Sequence, residues 1–272
     1  MIIPRRLSER LKILGISEGI YNRRAKKCLL SRERLNLDSV PWCENAYFVN
    51  EGYADYLVFD PVSLVPCIAL EPKKSDRVLD MCAAPGTKTF ILSFLTDNKA
   101  EITANDIDKN RIRRLAANAE KYKMNCEILN LSGRKIEGSF NKILLDAPCS
   151  GEGMINKSEK VFRHWSEKRI KFLTKKQKKL INHAFEILES GGILVYSTCT
   201  FAPEENEAVI DFLLERWSNA KIENVNVKNI VHANGLTSWN NVEFHSDVEK
   251  CIRIYPEHNG TGGFFVAKIR KK

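Results

Sequence analysis

Two cysteines in the sequence come just after apolar segments that have the composition of buried strands. Cys149 follows KILLDAP, and Cys199 follows GILVYST. Open α/β sheets bind ligands outside the carboxyl ends of their strands, so both thiols are expected to line one crevice. A lone buried cysteine is usually an inert apolar side chain, but two at such positions indicate a nucleophile and a helper. An acid, Asp146, stands three residues before Cys149.

The segment DMCAAPGTKT, residues 80–89, occupies the first predicted turn from a strand into a helix. Its small residues allow a ligand to approach the backbone, and the following helix offers free N-terminal amides. A Walker A loop would need its second glycine where Thr87 stands, and the dinucleotide pattern GxGxxG is absent. The turn therefore favours a ligand without a pyrophosphate, such as S-adenosylmethionine, over a plain tight turn.

Asp106 ends the next predicted strand, about 20 residues beyond that turn. An acid at this position can accept hydrogen bonds from both ribose hydroxyls of a nucleoside. It can instead cap the helix that is predicted to begin near Asp108, and the sequence leaves both roles open.

A sulfur nucleophile, a methyl donor and an acid together suit methylation of cytosine carbon 5. That carbon is a poor nucleophile until a thiolate adds to carbon 6 and forms an enamine, which then accepts a methyl group. Asp146 is expected to hydrogen-bond the base edge near N3 and the amino group. Lys88 or helix dipoles are expected to stabilise the attacking thiolate.

The composition places this chemistry in one large domain, or in one domain with a small appendage. The chain has 272 residues, 43% of them apolar, and no segment approaches the roughly 20 apolar residues of a membrane span. Eight scattered cysteines without a CxxC pair argue against a zinc site and a disulfide framework. We therefore predict no metal, no membrane and a cytoplasmic location. The net charge of +9 favours a polyanionic partner.

The elements that must position these residues alternate between strand and helix from Asp76 onward. Seven strands are predicted, and the last two, KIENVNV and GFFVAKI, lack a helix between them and predict an antiparallel edge hairpin. Two of the predicted helices span residues 175–190 and 203–217. The pattern predicts an α/β fold with a mainly parallel seven-stranded sheet. Upstream, residues 17–36 are predicted as a basic helix or helix pair capped by Ser17, and residues 41–70 as short strands and a helix.

Three motifs follow one another along the chain: DMCAAPGTKT, LLDAPCSGEG and YSTCTFAPEENE. Together they resemble the signature motifs of the Sun/Fmu-type (NOL1/NOP2/Sun) family of RNA cytosine-5 methyltransferases. The ending RIYPEHNGTGGFFVAKIRK is also similar to that family's last strands, and the resemblance extends from residue 52 onward. It implies a Rossmann-like class I methyltransferase fold. We divide the chain into a short basic extension, residues 1–70, and a catalytic domain, residues 71–272.

The resemblance also implies a role for each candidate residue. Cys199 would be the nucleophile, Cys149 would assist release of the methylated product, and Asp146 would face both the cytosine and S-adenosylmethionine. Ser132 stands where the family often has an acid near the adenine, and its hydroxyl can bond the adenine amino group. The other implied cofactor residues are Cys82, Ala83, Ala84, Pro85, Gly86, Thr87, Lys88 and Asp106.

RNA, as tRNA or rRNA, is the expected substrate, because the target base must leave its stack and RNA loops already expose bases. Backbone contacts are expected from the N-terminal basic segment and from residues 168–179, KRIKFLTKKQKK, although such a charge run is more often a solvated helix face. Two alternatives are a non-catalytic RNA-binding or assembly factor on the same fold and a DNA cytosine methyltransferase. The second cysteine, after Ser-Thr, argues against the DNA enzyme.

Overall fold

A computed structural model describes residues 3–50, 53–154 and 158–272. Its N-terminal part contains one helix, a three-stranded antiparallel sheet and a short second helix. These elements are α1 (Arg5–Ile13), β1 (Lys27–Leu30), β2 (Ser39–Val40), β3 (Cys43–Val49) and α2 (Leu64–Ala69).

The middle of the chain alternates between strands and helices, as the sequence predicts. Its elements are β4 (Arg77–Asp80), α3 (Thr87–Leu95), β5 (Glu101–Asn105), α4 (Lys109–Lys121), β6 (Cys126–Leu129), β7 (Phe140–Asp146), α5 (Ser158–His164), α6 (Glu167–Glu186), β8 (Leu188–Thr198) and α7 (Glu207–Arg216). The five strands run parallel in the order β6, β5, β4, β7, β8. Asp146 lies opposite Ser197 in this register, so the residues after β7 and β8 emerge side by side.

The C-terminal part adds antiparallel strands to the β8 side of this sheet. Its elements are β9 (Ala220–Glu223), β10 (Ala233–Asn234), β11 (Ser238–Trp239), β12 (Val242–Glu243), β13 (Ile252–Ile254), α8 (Pro256–Asn259) and β14 (Phe264–Lys271). The predicted antiparallel pairing of the last two strands is confirmed, since β14 pairs with β9 and also with β8 and β13. Within the described residues, β10 and β13 extend the seven predicted strands to nine.

The prediction of a helix over residues 17–36 is wrong. Ser17 does cap a helix, because its Oγ accepts a hydrogen bond from the Gly19 amide, but this helix is a short 3-10 segment, Glu18–Asn22. The chain then enters β1, which pairs with β3 and buries Cys28, Leu29 and Leu30. Strand pairing with a distant segment overrides the helical spacing of the apolar residues.

Three predicted boundaries also move. α6 begins at Glu167, where the Ser166 side chain accepts a hydrogen bond from the Arg169 amide, and it ends before the Gly-Gly pair, which lies inside β8. α7 begins at Glu207 rather than at residue 203, because Glu204 and Glu205 lie in a turn and bind distant partners. β9 ends at Glu223 rather than at residue 227. None of the helices in the described ranges is long and apolar enough to cross a membrane.

The N-terminal elements pack directly on the main sheet. One buried cluster joins Leu30 and Trp42 of the N-terminal part to Val78, Leu144 and Val195 of β4, β7 and β8. Removal of this apolar surface from water stabilises the contact by about 25 cal/mol per Å². The division at residue 70 stays a prediction, and the shared core means that the two parts do not have separate interiors.

Candidate active site

The two predicted catalytic cysteines meet at the carboxyl edge of the parallel strands. Cys149 and Cys199 follow the adjacent strands β7 and β8, and their Sγ atoms are 3.2 Å apart. Both side chains are partly exposed, and both line one cavity. The fold therefore brings two sulfur atoms from distant parts of the sequence to a place where a ligand can reach them.

The environment of Cys149 favours its protonated form. The hydrogen bond with Cys199 raises the pKa of the Cys149 thiol well above its usual value, and burial raises this pKa further. The charges of Glu205 and Asp146 act in the same direction. Cys149 is thus held as a thiol, and its S–H lies within hydrogen-bond distance of the Cys199 sulfur.

Asp146, the last residue of β7, is oriented by two side chains. Ser197 Oγ donates to Asp146 Oδ1 at 2.9 Å, and Lys88 Nζ donates to Oδ2 at 2.7 Å. Burial is the largest single influence on the pKa of Lys88 and lowers it, but the charge of Asp146, the hydrogen bond to it and the weaker influence of other nearby groups together raise this pKa. Lys88 therefore stays charged and pairs with the carboxylate, whereas the sequence left its position relative to the sulfurs open.

Buried hydrogen bonds fix the loop that carries Cys149. The Glu205 carboxylate has no exposed surface, and it accepts bonds from the Ser150 amide at 3.0 Å and from Gln177 Nε2 at 2.8 Å. Gln177 Nε2 also donates to the carbonyl of Pro148 at 2.9 Å. Burial raises the pKa of Glu205 to about 7, although the bonds from Ser150 and Gln177 oppose this. The loop is therefore held by a carboxyl group that titrates near neutral pH.

Backbone contacts at two glycines join the two cysteine loops to the segment before β14. The Gly153 amide donates to the carbonyl of Cys199 at 2.9 Å, and the Gly263 amide donates to the carbonyl of Gly153 at 2.9 Å. A Cβ atom at Gly153 would lie 2.4 Å from the Gly263 oxygen. This approach between backbones is closer than any side chain at Gly153 would allow.

The N-terminal part holds both cysteine loops from the other side. Arg10 donates two hydrogen bonds to the carboxylate of Glu204, five residues after Cys199, at 3.0 and 2.6 Å. The Tyr21 hydroxyl donates to the carbonyl of Glu152, three residues after Cys149, at 2.9 Å. The N-terminal residues thus fix the turns that position the sulfurs.

A cavity of about 590 Å³ opens beside the cysteine pair. Four of the predicted cofactor residues line it, namely Cys82, Asp106, Ser132 and Asp146. The other six, all within the described part of the chain, lie outside its lining: Ala83, Ala84, Pro85, Gly86, Thr87 and Lys88. They belong to the turn from β4 into α3, which is anchored by the hydrogen bond of the Ala83 amide to the Asn105 carbonyl at 2.7 Å. The turn therefore borders the cavity through Cys82, and its other residues do not contact the cavity directly.

Asp106 has a carboxylate oxygen that accepts no hydrogen bond from the described residues. Its Oδ1 accepts a bond from the Asp108 amide at 2.9 Å, whereas Oδ2 is buried without a hydrogen-bond partner among the described residues, although Arg111 Nη1 lies 3.1 Å away. Asp108 is the residue that caps α4, because its side chain accepts bonds from the amides of Asn110 and Arg111. The Oδ2 acceptor of Asp106 suits the hydroxyls of a ribose, so a nucleoside cofactor fits this cavity.

Residues 67–270 match the family described as 16S rRNA methyltransferase RsmB/F. The chain belongs to this family. It is thus a Sun-type RNA cytosine-5 methyltransferase, and its cofactor is S-adenosylmethionine. A tRNA (cytosine(49)-C(5))-methyltransferase from Pyrococcus abyssi is 37% identical over 258 residues, which cover 89% of this chain and 82% of that protein. Ribosomal RNA small subunit methyltransferase F from Vibrio cholerae is 34% identical over 98% of this chain, which spans 58% of that relative.

Two solved structures of methyltransferases are similar to this chain over most of its length. A methyltransferase homologue from Pyrococcus horikoshii has a TM-score of 0.81 and 28% identity, and the match covers 99% of this chain and 100% of that one. NSun6 from the same organism, solved with SFG, an analogue of S-adenosylmethionine, has a TM-score of 0.69 and 32% identity over 89% of this chain and 56% of that one. The predicted Rossmann-like class I fold is confirmed.

Two residues of this RsmB/F-family site, Asn105 and Glu205, are not among the residues predicted from sequence. Asn105 is buried, and its amide nitrogen donates to the carbonyls of Met81 and Leu131 at 3.0 and 3.2 Å, which joins two loops of the cavity. Its position directly before Asp106 is the feature of the sequence from which a role in the site could have been predicted. Glu205 was assigned to a helical first turn, and no local pattern shows that it points inward to Ser150.

No group of three or more His, Cys, Asp and Glu side chains suited to holding a metal ion occurs in residues 3–50, 53–154 and 158–272. The polar groups that line the cavity include two carboxylates, a serine hydroxyl, the pair of thiols and several cationic side chains. The Ser132 hydroxyl has no hydrogen-bond partner among the described residues, so it is free to bond an adenine.

Proposed function

We propose that Cys199 is the nucleophile and Cys149 the proton acceptor in methyl transfer to carbon 5 of a cytosine in RNA. The observation that carries this assignment is the 3.2 Å separation of the two sulfurs beside a cavity that Asp106 also lines. The relatives named above act on tRNA and on rRNA, and we propose a structured RNA of one of these two classes as the substrate.

The first step is addition of the Cys199 thiolate to carbon 6 of the cytosine, which converts carbon 5 into an enamine carbon. The thiol of Cys149 stabilises that thiolate beforehand by hydrogen bonding. S-adenosylmethionine, when bound, supplies the methyl group that carbon 5 accepts. Asp146, held by Ser197 and Lys88, accepts a hydrogen bond from the amino group of the cytosine and orients the ring.

The second half of the reaction removes the carbon-5 proton and breaks the bond between Cys199 and carbon 6. Once the Cys199 sulfur is bonded to carbon, it carries no charge, so the first cause of the raised pKa of Cys149 is gone. Cys149, which is partly exposed, can then give its own proton to solvent water and, as a thiolate, take the proton from carbon 5. The electrons of that C–H bond restore the ring double bond, and the Cys199 thiolate leaves.

Asp106 accepts hydrogen bonds from the ribose of the cofactor, and Ser132 bonds its adenine. The turn from Cys82 to Lys88 fixes the position of this site, with Cys82 alone among these seven residues in the cavity lining. We place the reaction in the cytoplasm, because both thiols must stay reduced to work and that compartment keeps thiols reduced.

The test is a comparison of Cys149→Ala and Cys199→Ala proteins, each mixed with cellular RNA and S-adenosylmethionine and analysed on denaturing gels. Cys149→Ala should accumulate a nuclease-sensitive protein–RNA adduct, because the product cannot leave, and Cys199→Ala should form none. Cys126→Ala, at the opposite end of the sheet, is the matched control and should methylate RNA like the wild type.

An adduct in the Cys199→Ala protein would reverse the two roles. Methyl transfer to DNA in preference to RNA would favour the DNA methyltransferase alternative. Absence of both adduct and methyl transfer, with retained RNA binding, would favour the non-catalytic factor.

A further inference from the structure

A groove of about 570 Å³ between α6, α7 and the loop before β7 carries an excess of positive charge. Its lining includes one acidic side chain, Glu186, and five cationic ones: Arg134, Lys175, Lys178, Lys179 and Arg216. Within the parts of the chain that the structure describes, none of these five forms an ion pair with an acid. Glu186 is engaged by Asn182, whose amide donates to it at 2.9 Å.

The structure of α6 explains why this charge is available to a ligand. The helix has seven Lys and Arg residues against two acids among its 20 residues. Its buried face, which includes Leu173, Gln177 and Leu180, packs on the sheet and the Cys149 loop. Lys171, Lys175 and Lys179 recur at intervals of four residues and are exposed, so they form a row along the opposite face.

This groove is continuous with the active-site cavity. Arg134, Lys175 and Lys179 line both, and Phe172, whose exposed fraction is 67%, stands at the cavity on the same helix. S-adenosylmethionine has one carboxylate and two cationic groups, so the cofactor does not account for five unpaired cations. Phosphates of a polyanion do account for them, and an exposed aromatic ring beside them suits stacking on a nucleotide base.

We propose that this groove binds the sugar–phosphate backbone of the RNA next to the target cytosine, with Phe172 stacking on a neighbouring base. The inference rests on the proposed function, because it assumes that an RNA base enters the cavity. The N-terminal segment is less suited to this role than its sequence indicates, since Arg32 pairs with Asp97. The RNA strand therefore crosses α6 to reach the cysteines.

The test uses Lys178 and Arg216, which line the groove but not the cavity. The double variant Lys178→Glu with Arg216→Glu is compared with Lys99→Glu with Lys123→Glu. The control lysines are exposed and precede β5 and β6, at the opposite edge of the sheet, and the change in net charge is identical. Binding of fluorescently labelled, unfractionated tRNA is measured by anisotropy over a series of salt concentrations, and methyl incorporation into the same tRNA is measured in parallel.

The groove variant should bind tRNA about tenfold or more weakly at low salt, and its slope of log K against log salt should fall by about 2, one for each phosphate that is no longer neutralised. KM for the RNA should rise, with kcat at saturating RNA changed much less. The control variant should stay within about twofold of the wild type. If Glu at these positions prevents folding, the neutral pair Lys178→Gln with Arg216→Gln replaces it, with half the change in charge.

Equal RNA affinity and equal salt slope for the groove variant and the wild type would overturn the proposal and leave an acidic protein as the partner of the groove. A loss of affinity equal to that of the control variant would also overturn it, because the effect would then come from net charge alone. Failure of the proposed function is a separate result: the wild type would transfer no methyl group, while the binding comparison would still test the groove.

Discussion

The guanidinium of Arg10 and the carboxylate of Glu204 form a two-point ion pair across 194 residues of sequence. Trp239 Nε1 donates a third hydrogen bond to Glu204 at 3.1 Å, and the Arg10 guanidinium lies 5.2 Å from the centre of the Trp239 ring. The N-terminal helix is thereby attached to the turn that carries Cys199. A residue far from the catalytic motifs thus takes part in positioning the nucleophile.

Arg10→Ala should lower the free energy of unfolding by about 2 kcal/mol, because it leaves a mostly buried carboxylate without its charged partner. It should also lower kcat, since the turn after Cys199 loses its anchor. Urea denaturation and methyl incorporation measure the two effects. Arg5→Ala, which removes an exposed pair with Glu9 on the same helix, should change stability by less than about 0.5 kcal/mol. Equal losses in the two variants would show that Arg10 has no special role.

Asp106→Asn should weaken binding of S-adenosylhomocysteine by roughly 10- to 100-fold, measured by titration calorimetry. Asparagine can keep the bond from the Asp108 amide, but its NH2 group then replaces the acceptor Oδ2, which lies 3.1 Å from Arg111 and accepts no hydrogen bond among the described residues. Asp108→Asn is the control, since Asp108 caps α4 and lies outside the cavity lining. If both variants bind the ligand as the wild type does, Asp106 does not contact the ribose.

Glu205 should make the stability of the protein depend on pH between about 4.5 and 7. Burial raises its folded-state pKa from the ordinary glutamate value of 4.5 to about 7, so its protonated form is favoured in the folded protein. The stabilisation linked to this shift is fully present below pH 4.5 and is lost as the pH rises through 7. The free energy of unfolding of Glu205→Gln, measured with urea, should therefore rise relative to that of the wild type by about 2 to 3 kcal/mol between pH 4.5 and pH 8.

The control for this experiment is Glu215→Gln, which removes one exposed carboxylate from α7. The difference in free energy of unfolding between Glu215→Gln and the wild type should not change with pH in the way expected for Glu205→Gln. A constant difference between Glu205→Gln and the wild type over the whole pH range would contradict the prediction, because it would mean that burial does not shift the titration of Glu205.

Gly153→Ala should destabilise the protein by about 1 to 3 kcal/mol and reduce kcat, because the new methyl group meets the backbone of Gly263. Relief of this clash requires movement of the Cys149 loop away from the Cys199 carbonyl. Gly19→Ala is the control, since its methyl group would meet only the Ser17 hydroxyl at 3.2 Å. Thermal melting and methyl incorporation measure the outcome, and full activity in Gly153→Ala would rule out the close approach.

The sequence correctly predicts the parallel strands and their order along the chain, because each strand is a short apolar run that ends in turn residues. The ends of β7 and β8 could be located from these runs, and the meeting of Cys149 with Cys199 followed from the rule for parallel strands. The same reasoning failed for residues 17–36, where the spacing of apolar residues fits a helix but β1 pairs with β3. Pairing with a distant strand leaves no trace in a local pattern.

The finer details of the site depend on contacts between distant residues and on directions of side chains. Sequence cannot distinguish Asp106 from Asp108 as the cap of α4, because both acids stand just before the helix, yet Asp106 accepts a bond from the Asp108 amide and only Asp108 accepts one from the Asn110 amide in the first turn. Likewise, the two acids Glu204 and Glu205 are neighbours in sequence, yet one binds Arg10 and the other the Ser150 amide. Such differences arise from the tertiary fold.

The position of β14 has a consequence for synthesis on the ribosome. This strand pairs with β8, β9 and β13, and the glycine just before it bonds the backbone of the Cys149 loop. All of these partners leave the exit tunnel earlier than β14 does. A nascent chain therefore carries β8 with an unpaired edge, which is open to wrong association, until β14 arrives.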